Sequence, residues 1–206
     1  MSDESSPMPV NHHGDHPGFA GITGTLFGLV FLLTGRRNAR LAADLAQVSA
    51  ADHVVDIGCG PGTAARVAAR RGAHVTGIDP SAPLLRLARA VTRRRTAVTW
   101  AEGSAEDLPL ADGSASVIWA LSTVHHWRDV GTGLAQVHRV LAPGGRLLAV
   151  ERRSPPDATG FASHGWTAQQ AESFAALCRT AGLVDLRVRC HGAGRAEVWT
   201  VSGVRP

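Results

Sequence analysis

A chain of 206 residues with 44% apolar side chains can bury one sizeable core, so a single domain with one site is expected rather than a two-domain cleft. All basic residues are arginine and they are scattered; with neither an appended recognition module nor an Asn-Pro-Pro-Tyr or Asp-Pro-Pro-Tyr motif, the net charge of +4 is no argument for nucleic acid. Cys59, Cys178 and Cys190 lie far apart without CxxC spacing, which argues against a disulfide framework or a zinc ribbon and for a reducing cytoplasm.

From Met1 to Pro17 the chain is rich in Ser, Pro, His and Asp and has no apolar periodicity, so it is expected to be mobile unless a ligand orders it. His12, His13, Asp15 and His16 are suitable metal ligands, but their packing into five residues makes a shared tetrahedral site awkward. No metal is expected, and His13 and His16 are read as facing an acceptor. The apolar run from Gly18 to Gly35 is interrupted by glycines and threonines and barely reaches the roughly 20 residues of a membrane span. It predicts a buried helix or a lid, without stable membrane insertion. Residues 1–40 thus form a mobile segment with a lid helix, and residues 41–206 the main domain.

Leu41, Leu45 and Val48 recur at helical spacing and predict an amphipathic helix over Arg40–Val48. The chain then alternates. Strands are predicted at His53–Ile57, His74–Ile78, Val98–Trp100, Ala115–Ala120 and Arg146–Val150. Helices are predicted at Pro61–Arg70, Ser81–Arg94, Gly131–Leu141 and Ala168–Ala181. Such alternation argues for a parallel sheet with helices on both faces. Val184–Val188 and Val198–Val201 are joined by a link too short for a crossover helix, so they should form an antiparallel hairpin at one sheet edge. Arg93 to Arg95 suit a solvated helix end, and Gly144 and Gly145 a helix stop before the fifth strand.

The strongest motif is VVDIGCGPGT, Val54 to Thr63, where a buried strand runs into a glycine turn and a helix opens at once. Gly58, Gly60 and Gly62 permit positive φ and close approach of a ligand, and the helix start favours a carboxylate. Asp79 closes the second strand about twenty residues on, where an acid accepts hydrogen bonds from ribose hydroxyls. These features suit a nicotinamide dinucleotide or S-adenosylmethionine alike. Thr63 stands where the dinucleotide fingerprint wants glycine or alanine, which weakens the dehydrogenase reading.

Five stretches together, VDIGCGPG at 55–62, GID at 77–79, EGSAEDLPLADGS at 102–114, STVHHW at 122–127 and HRVLAPGGRLL at 138–148, resemble the class I S-adenosylmethionine-dependent methyltransferases in order and spacing. The resemblance covers roughly Leu41 to Val201. It implies a Rossmann-like α/β fold: a mostly parallel seven-stranded sheet with an antiparallel edge hairpin and helices on both faces. It implies S-adenosyl-L-methionine as cofactor, released as S-adenosyl-L-homocysteine, in a pocket between Val54 and Leu121. Asp56, Gly58, Gly60 and Gly62 would surround the methionine and adenosyl parts, Asp79 would lie on the ribose, and Ser104, Ala105 and Glu106 near the adenine; Cys59, Thr63, Pro80 and Leu121 would complete the cofactor-binding set. Many relatives carry an acid where Ser104 stands, so the adenine amino group is left to Ser104, Glu106 or backbone.

Methyl transfer from a sulfonium is an in-line displacement, and an alcohol nucleophile must lose a proton. His125 and His126 follow the fourth strand at the carboxyl ends where ligands bind, and either can serve as that base. Glu151, after the fifth strand on the same rim, could orient a histidine or accept a hydrogen bond from the acceptor. The histidine pair with this acid resembles sugar O-methyltransferases, which implies a small hydroxylated acceptor. Trp127 and Trp166 are expected to line its pocket, and Trp100 and Trp119 to be core. A lipid or quinone acceptor at a membrane surface is the alternative. Monomer and homodimer are both left open.

Overall fold

The computed structural model describes residues 10–12 and 35–206. His13, His16 and the lid helix expected within 18–35 lie outside the described residues. The elements are α1 (Arg36–Leu45), β1 (His53–Ile57), α2 (Thr63–Ala69), β2 (His74–Asp79), α3 (Ala82–Val91), β3 (Val98–Glu102) and β4 (Ala115–Leu121), followed by α4 (Val130–Val140), β5 (Leu141–Arg152), α5 (Ala168–Thr180), β6 (Val184–His191) and β7 (Val198–Val204).

The strands form one sheet in the order β3-β2-β1-β4-β5-β7-β6. β3, β2, β1, β4 and β5 pair in parallel, whereas β7 is antiparallel to both β5 and β6. This is the Rossmann-like methyltransferase fold, with the expected edge hairpin. The chain runs outward from β1 to β3 and returns to β4, so a crevice opens at the carboxyl ends of β1 and β4.

Both faces of the sheet are covered, which is why the central strands read as nearly continuous apolar runs. Val55, Ile57, Ile118, Ala120, Leu147 and Ala149 join one core cluster with Leu134 and Phe174 of α4 and α5. Val54, Val117, Trp119, Leu148 and Val150 join the other, against α1 and α2.

Several boundaries depart from expectation. The first helix starts at Arg36, and its buried face is Ala39, Ala42 and Ala43 rather than leucine; Leu45 is 41% exposed. Ala39, Ala42 and Ala43 of α1 share a core cluster with Ala64, Ala65 and Ala68 of α2, and Leu41 packs at its margin. α2 begins at Thr63, two residues past Pro61, because Gly62 takes a left-handed φ of 76° as its N-cap. α4 ends at Val140, so Gly144 does not stop it. Ala142–Gly145 instead loop out within β5, where pairing shifts between Ala115↔Leu141 and Val117↔Arg146, and Gly144 (φ 76°) turns that bulge. α3 ends at Val91, and Arg93 to Arg95 lie exposed beyond it.

Candidate active site

At the carboxyl end of β1 the three glycines serve different ends. A Cβ on Gly58 would lie 2.2 Å from Thr123 Oγ1, and one on Gly62 would lie 2.1 Å from the Trp100 ring. Both positions are therefore small to admit the protein's own side chains. Gly60, at φ 51°, has nothing within 4 Å of its would-be Cβ among the described residues, so it alone borders open space. Trp119 is fully buried, as expected, while Trp100 is half-buried over Gly62 and Gly77.

Two carboxylates fix this turn. Asp79 Oδ2 accepts the Gly60 amide at 2.8 Å and Oδ1 accepts the Ser81 amide at 2.8 Å. Burial pushes the Asp79 carboxyl up, and the two amides oppose that shift. Each oxygen accepts a single bond from these amides and has capacity for a hydroxyl donor. Asp56 is 2% exposed and accepts the Ala65 amide at 3.0 Å, so it caps α2, whose N-cap glycine has no side chain to do so. Burial pushes its carboxyl up to about 7. The Thr63 hydroxyl, at the first residue of α2, is buried without a hydrogen-bond partner among the described residues.

The remaining residues of the expected pocket are distributed around this turn. Cys59 is buried, with its thiol pushed well up by burial; Pro80 is exposed beyond Asp79; Leu121 is half-buried at the end of β4. Ala105 is core, and Ser104 is half-buried in a turn bridged to Asp107. Glu106 Oε1 accepts the amides of Arg128 at 2.8 Å and Asp129 at 3.3 Å, which braces the entry to α4. An open glycine backbone, a carboxylate with spare acceptor capacity and an unspent hydroxyl at a helix N-terminus fit a ligand carrying vicinal hydroxyls and a carboxylate.

The second group lies at the ends of β4 and β5. Strand alternation puts Glu151 on the same face as Leu147 and Ala149, where it is fully buried. Its Oε1 accepts the Val124 amide at 2.8 Å and its Oε2 meets His125 Nδ1 at 2.9 Å. A carboxylate can only accept, so a proton of His125 sits on Nδ1, and the neutral form of the ring would carry its lone pair on Nε2. His125 is 2% exposed; His126 is half-exposed beside it, with ring centroids 4.1 Å apart. His164 lies 5.7 Å from His125 and 5.8 Å from His126, and burial holds its imidazole below the usual range.

Trp127 and Trp166 are 4% and 0% exposed, and both pack on Phe174. They form the wall behind the histidines from within the core. Trp199 is half-buried and stands opposite Glu151 in the β5–β7 register. It lines a cavity of about 720 Å³ together with Arg152, Ser154, Pro155 and Thr167. His164 escaped the sequence reading, and His12 was named only with the N-terminal cluster, because loop packing brings both beside His125. Among the described residues, no group of three or more His, Cys, Asp or Glu side chains is placed to hold a metal ion, and no helix is long and apolar enough to cross a membrane.

Residues 55–149 match the methyltransferase domain family. Over 120 residues the chain is 38% identical to a ubiquinone/menaquinone biosynthesis C-methyltransferase of Rubrivivax gelatinosus, covering 58% of this chain and 45% of the relative. Over 134 residues it is 40% identical to a 27-O-demethylrifamycin SV methyltransferase of Amycolatopsis mediterranei, covering 62% and 48%. The chain thus spans about half the length of these curated relatives. The fold superposes on a SAM-dependent methyltransferase of Aquifex aeolicus with a TM-score of 0.68 at 16% identity, over 82% of this chain and 89% of that one.

Proposed function

Because residues 55–149 of this chain match the methyltransferase domain family and the chain has the fold of a SAM-dependent methyltransferase, we propose that it transfers a methyl group from S-adenosylmethionine to a hydroxyl of a small acceptor such as a sugar or glycoside. The observation that carries this reading is the buried Glu151–His125 pair at the strand ends beside the β1–β4 crevice.

In this reading Asp79 holds the ribose hydroxyls, the Gly60 backbone borders the adenosyl group, and Thr63 with the start of α2 receives the methionine carboxylate. Ser104 is left as the polar side chain near the adenine, since Glu106 is spent on the amides that open α4. The cofactor supplies an electrophilic methyl group on a sulfonium. The protein's tasks are then to align the acceptor oxygen, exclude water and take a proton. Glu151 fixes the His125 tautomer, so that Nε2 accepts the proton while the carboxylate stabilises the imidazolium. His126 stands beside it on the more open side and orients the acceptor hydroxyl. Trp199 offers an aromatic face to an acceptor ring in the neighbouring cavity.

A second reading, a quinone-like acceptor methylated on carbon, is favoured by the similarity to the Rubrivivax gelatinosus enzyme. There the same pair would remove a ring proton or a ring hydroxyl proton. Both readings require S-adenosyl binding. At a hundredfold excess over its Kd, S-adenosylhomocysteine should stabilise the chain by about 2.7 kcal/mol, raising Tm by roughly 5–11 °C. No shift with it, beside a shift with a nicotinamide dinucleotide, would make the chain a dehydrogenase instead. Turnover on hydroxylated against quinone acceptors separates the two methyltransferase readings.

A further inference from the structure

The pairing of β5 with β7 continues one step past the ends of the two strands. Glu151 stands opposite Trp199 and Arg152 opposite Val198, and beyond them the Arg153 amide donates to the Glu197 carbonyl at 3.0 Å. Strand alternation puts Arg153 and Glu197 on the face that carries Glu151 and Trp199. Two residues of extended chain span roughly 7 Å, so this face presents in turn the Glu151–His125 pair, the Trp199 ring and, one step outward, the side chains of Arg153 and Glu197. The cavity of about 720 Å³ lies against this row, lined by Trp199, Arg153 and Glu197 together with Pro155, Pro156 and Thr167.

Its wall combines two chemistries. Trp199 packs at the margin of the α4–α5 core cluster, which fixes the indole, and the two prolines add apolar surface. At the other end Arg153 Nη1 donates to Glu197 Oε2 at 2.5 Å, with side-chain exposures of 53% and 24%. That contact uses one carboxylate oxygen and one guanidinium nitrogen, so donors and an acceptor remain side by side for a ligand. A ring hydroxyl both donates and accepts, and two vicinal hydroxyls can answer both members of the pair at once. A quinone ring carries acceptors only and would leave Glu197 unmatched. An anionic acceptor would meet Arg152 and Arg153 but also the Glu197 carboxylate.

We propose that this cavity is the acceptor subsite for a polyhydroxylated ring, with Trp199 against one ring face and the Arg153–Glu197 pair on a vicinal diol. These three residues set which acceptor is taken, while His125 and Glu151 serve the hydroxyl that reacts. This rests on the reading of the chain as a methyltransferase of hydroxylated acceptors, and it adds the residues that select the ring.

The test is ligand-observed NMR of the full chain with S-adenosylhomocysteine present. The probes are phenyl glycosides of glucose, galactose, mannose and rhamnose, with menadione and phenyl phosphate as the competing chemistries. At least one phenyl glycoside should bind, and Trp199→Leu, Arg153→Met and Glu197→Gln should each weaken it by about tenfold or more. Because the ion pair is exposed, Arg153→Met and Glu197→Gln should keep a Tm close to that of wild type, which separates a lost ligand contact from a damaged fold. For a glycoside that is methylated, both variants should raise KM and leave kcat nearly unchanged. Absence of binding by every phenyl glycoside, whether or not menadione or phenyl phosphate binds, overturns the proposal. So does glycoside binding that Arg153→Met and Glu197→Gln leave unaltered. S-adenosylhomocysteine binding by the wild-type chain is read separately: its loss sinks the methyltransferase reading, whereas its retention without a glycoside effect sinks only this inference.

Discussion

Substituting Gly62 by alanine tests whether the glycine turn is shaped by the protein's own packing or by a ligand. At φ 76° an alanine pays the left-handed backbone penalty, about 1–2 kcal/mol. Its Cβ would also stand 2.1 Å from the Trp100 ring, so ring or strand must shift, at about 1–3 kcal/mol for overpacking. The total is about 2–5 kcal/mol, which at roughly 2–4 °C per kcal/mol for a domain of this size makes a clear loss in Tm. Gly60→Ala, at φ 51° in open space, should cost only the backbone part, about 1–2 kcal/mol, while weakening S-adenosylhomocysteine binding by crowding the space the ligand needs. Thermal and urea unfolding of the ligand-free proteins measure both. In a Trp100→Leu background Gly62→Ala should cost less, because its obstacle is gone. Equal losses for Gly60→Ala and Gly62→Ala in both backgrounds would refute the packing argument.

Other consequences follow from the two carboxylate sites. Asp56 has a folded-state pKa raised to about 7 from 3.8, so the stability it contributes is full below pH 3.8 and is lost as pH rises through about 7. Asp56→Asn keeps an oxygen for the Ala65 amide and removes the buried charge. Its Tm advantage over wild type should grow between pH 5 and pH 8, and a constant difference would contradict the assignment. For Glu151→Gln, the Val124 amide claims the oxygen, so the side-chain NH₂ faces His125 Nδ1 and drives the proton to Nε2, the wrong tautomer for a base. Methyl transfer should fall by about 10²–10⁴-fold with S-adenosylhomocysteine affinity retained, and an intact rate would remove the pair from the mechanism. His126→Ala should likewise retain cofactor affinity while losing turnover, chiefly through KM if it orients the acceptor; an unchanged KM and kcat would exclude that role.

The sequence alone determined the element order, the parallel sheet with its edge hairpin, and the rim on which His125, His126 and Glu151 lie. Apolar runs alternate with amphipathic segments, and a glycine turn between strand and helix is a local signal. Helix faces were less legible: Leu41 and Leu45 suggested a face that the structure gives to Ala39, Ala42 and Ala43, because burial depends on which face the partner helix covers. The duties of single residues were decided by tertiary structure. Gly58 and Gly62 have the same composition signal as Gly60, yet only the position of Thr123 and Trp100 separates them. Trp166 and Trp199 are both tryptophans near the rim, and only register and loop packing bury the first and set the second beside a cavity. His12 meets Gln170 across 158 residues, a pairing that no local pattern encodes, since hydrogen-bond partners are chosen by geometry after the chain has folded.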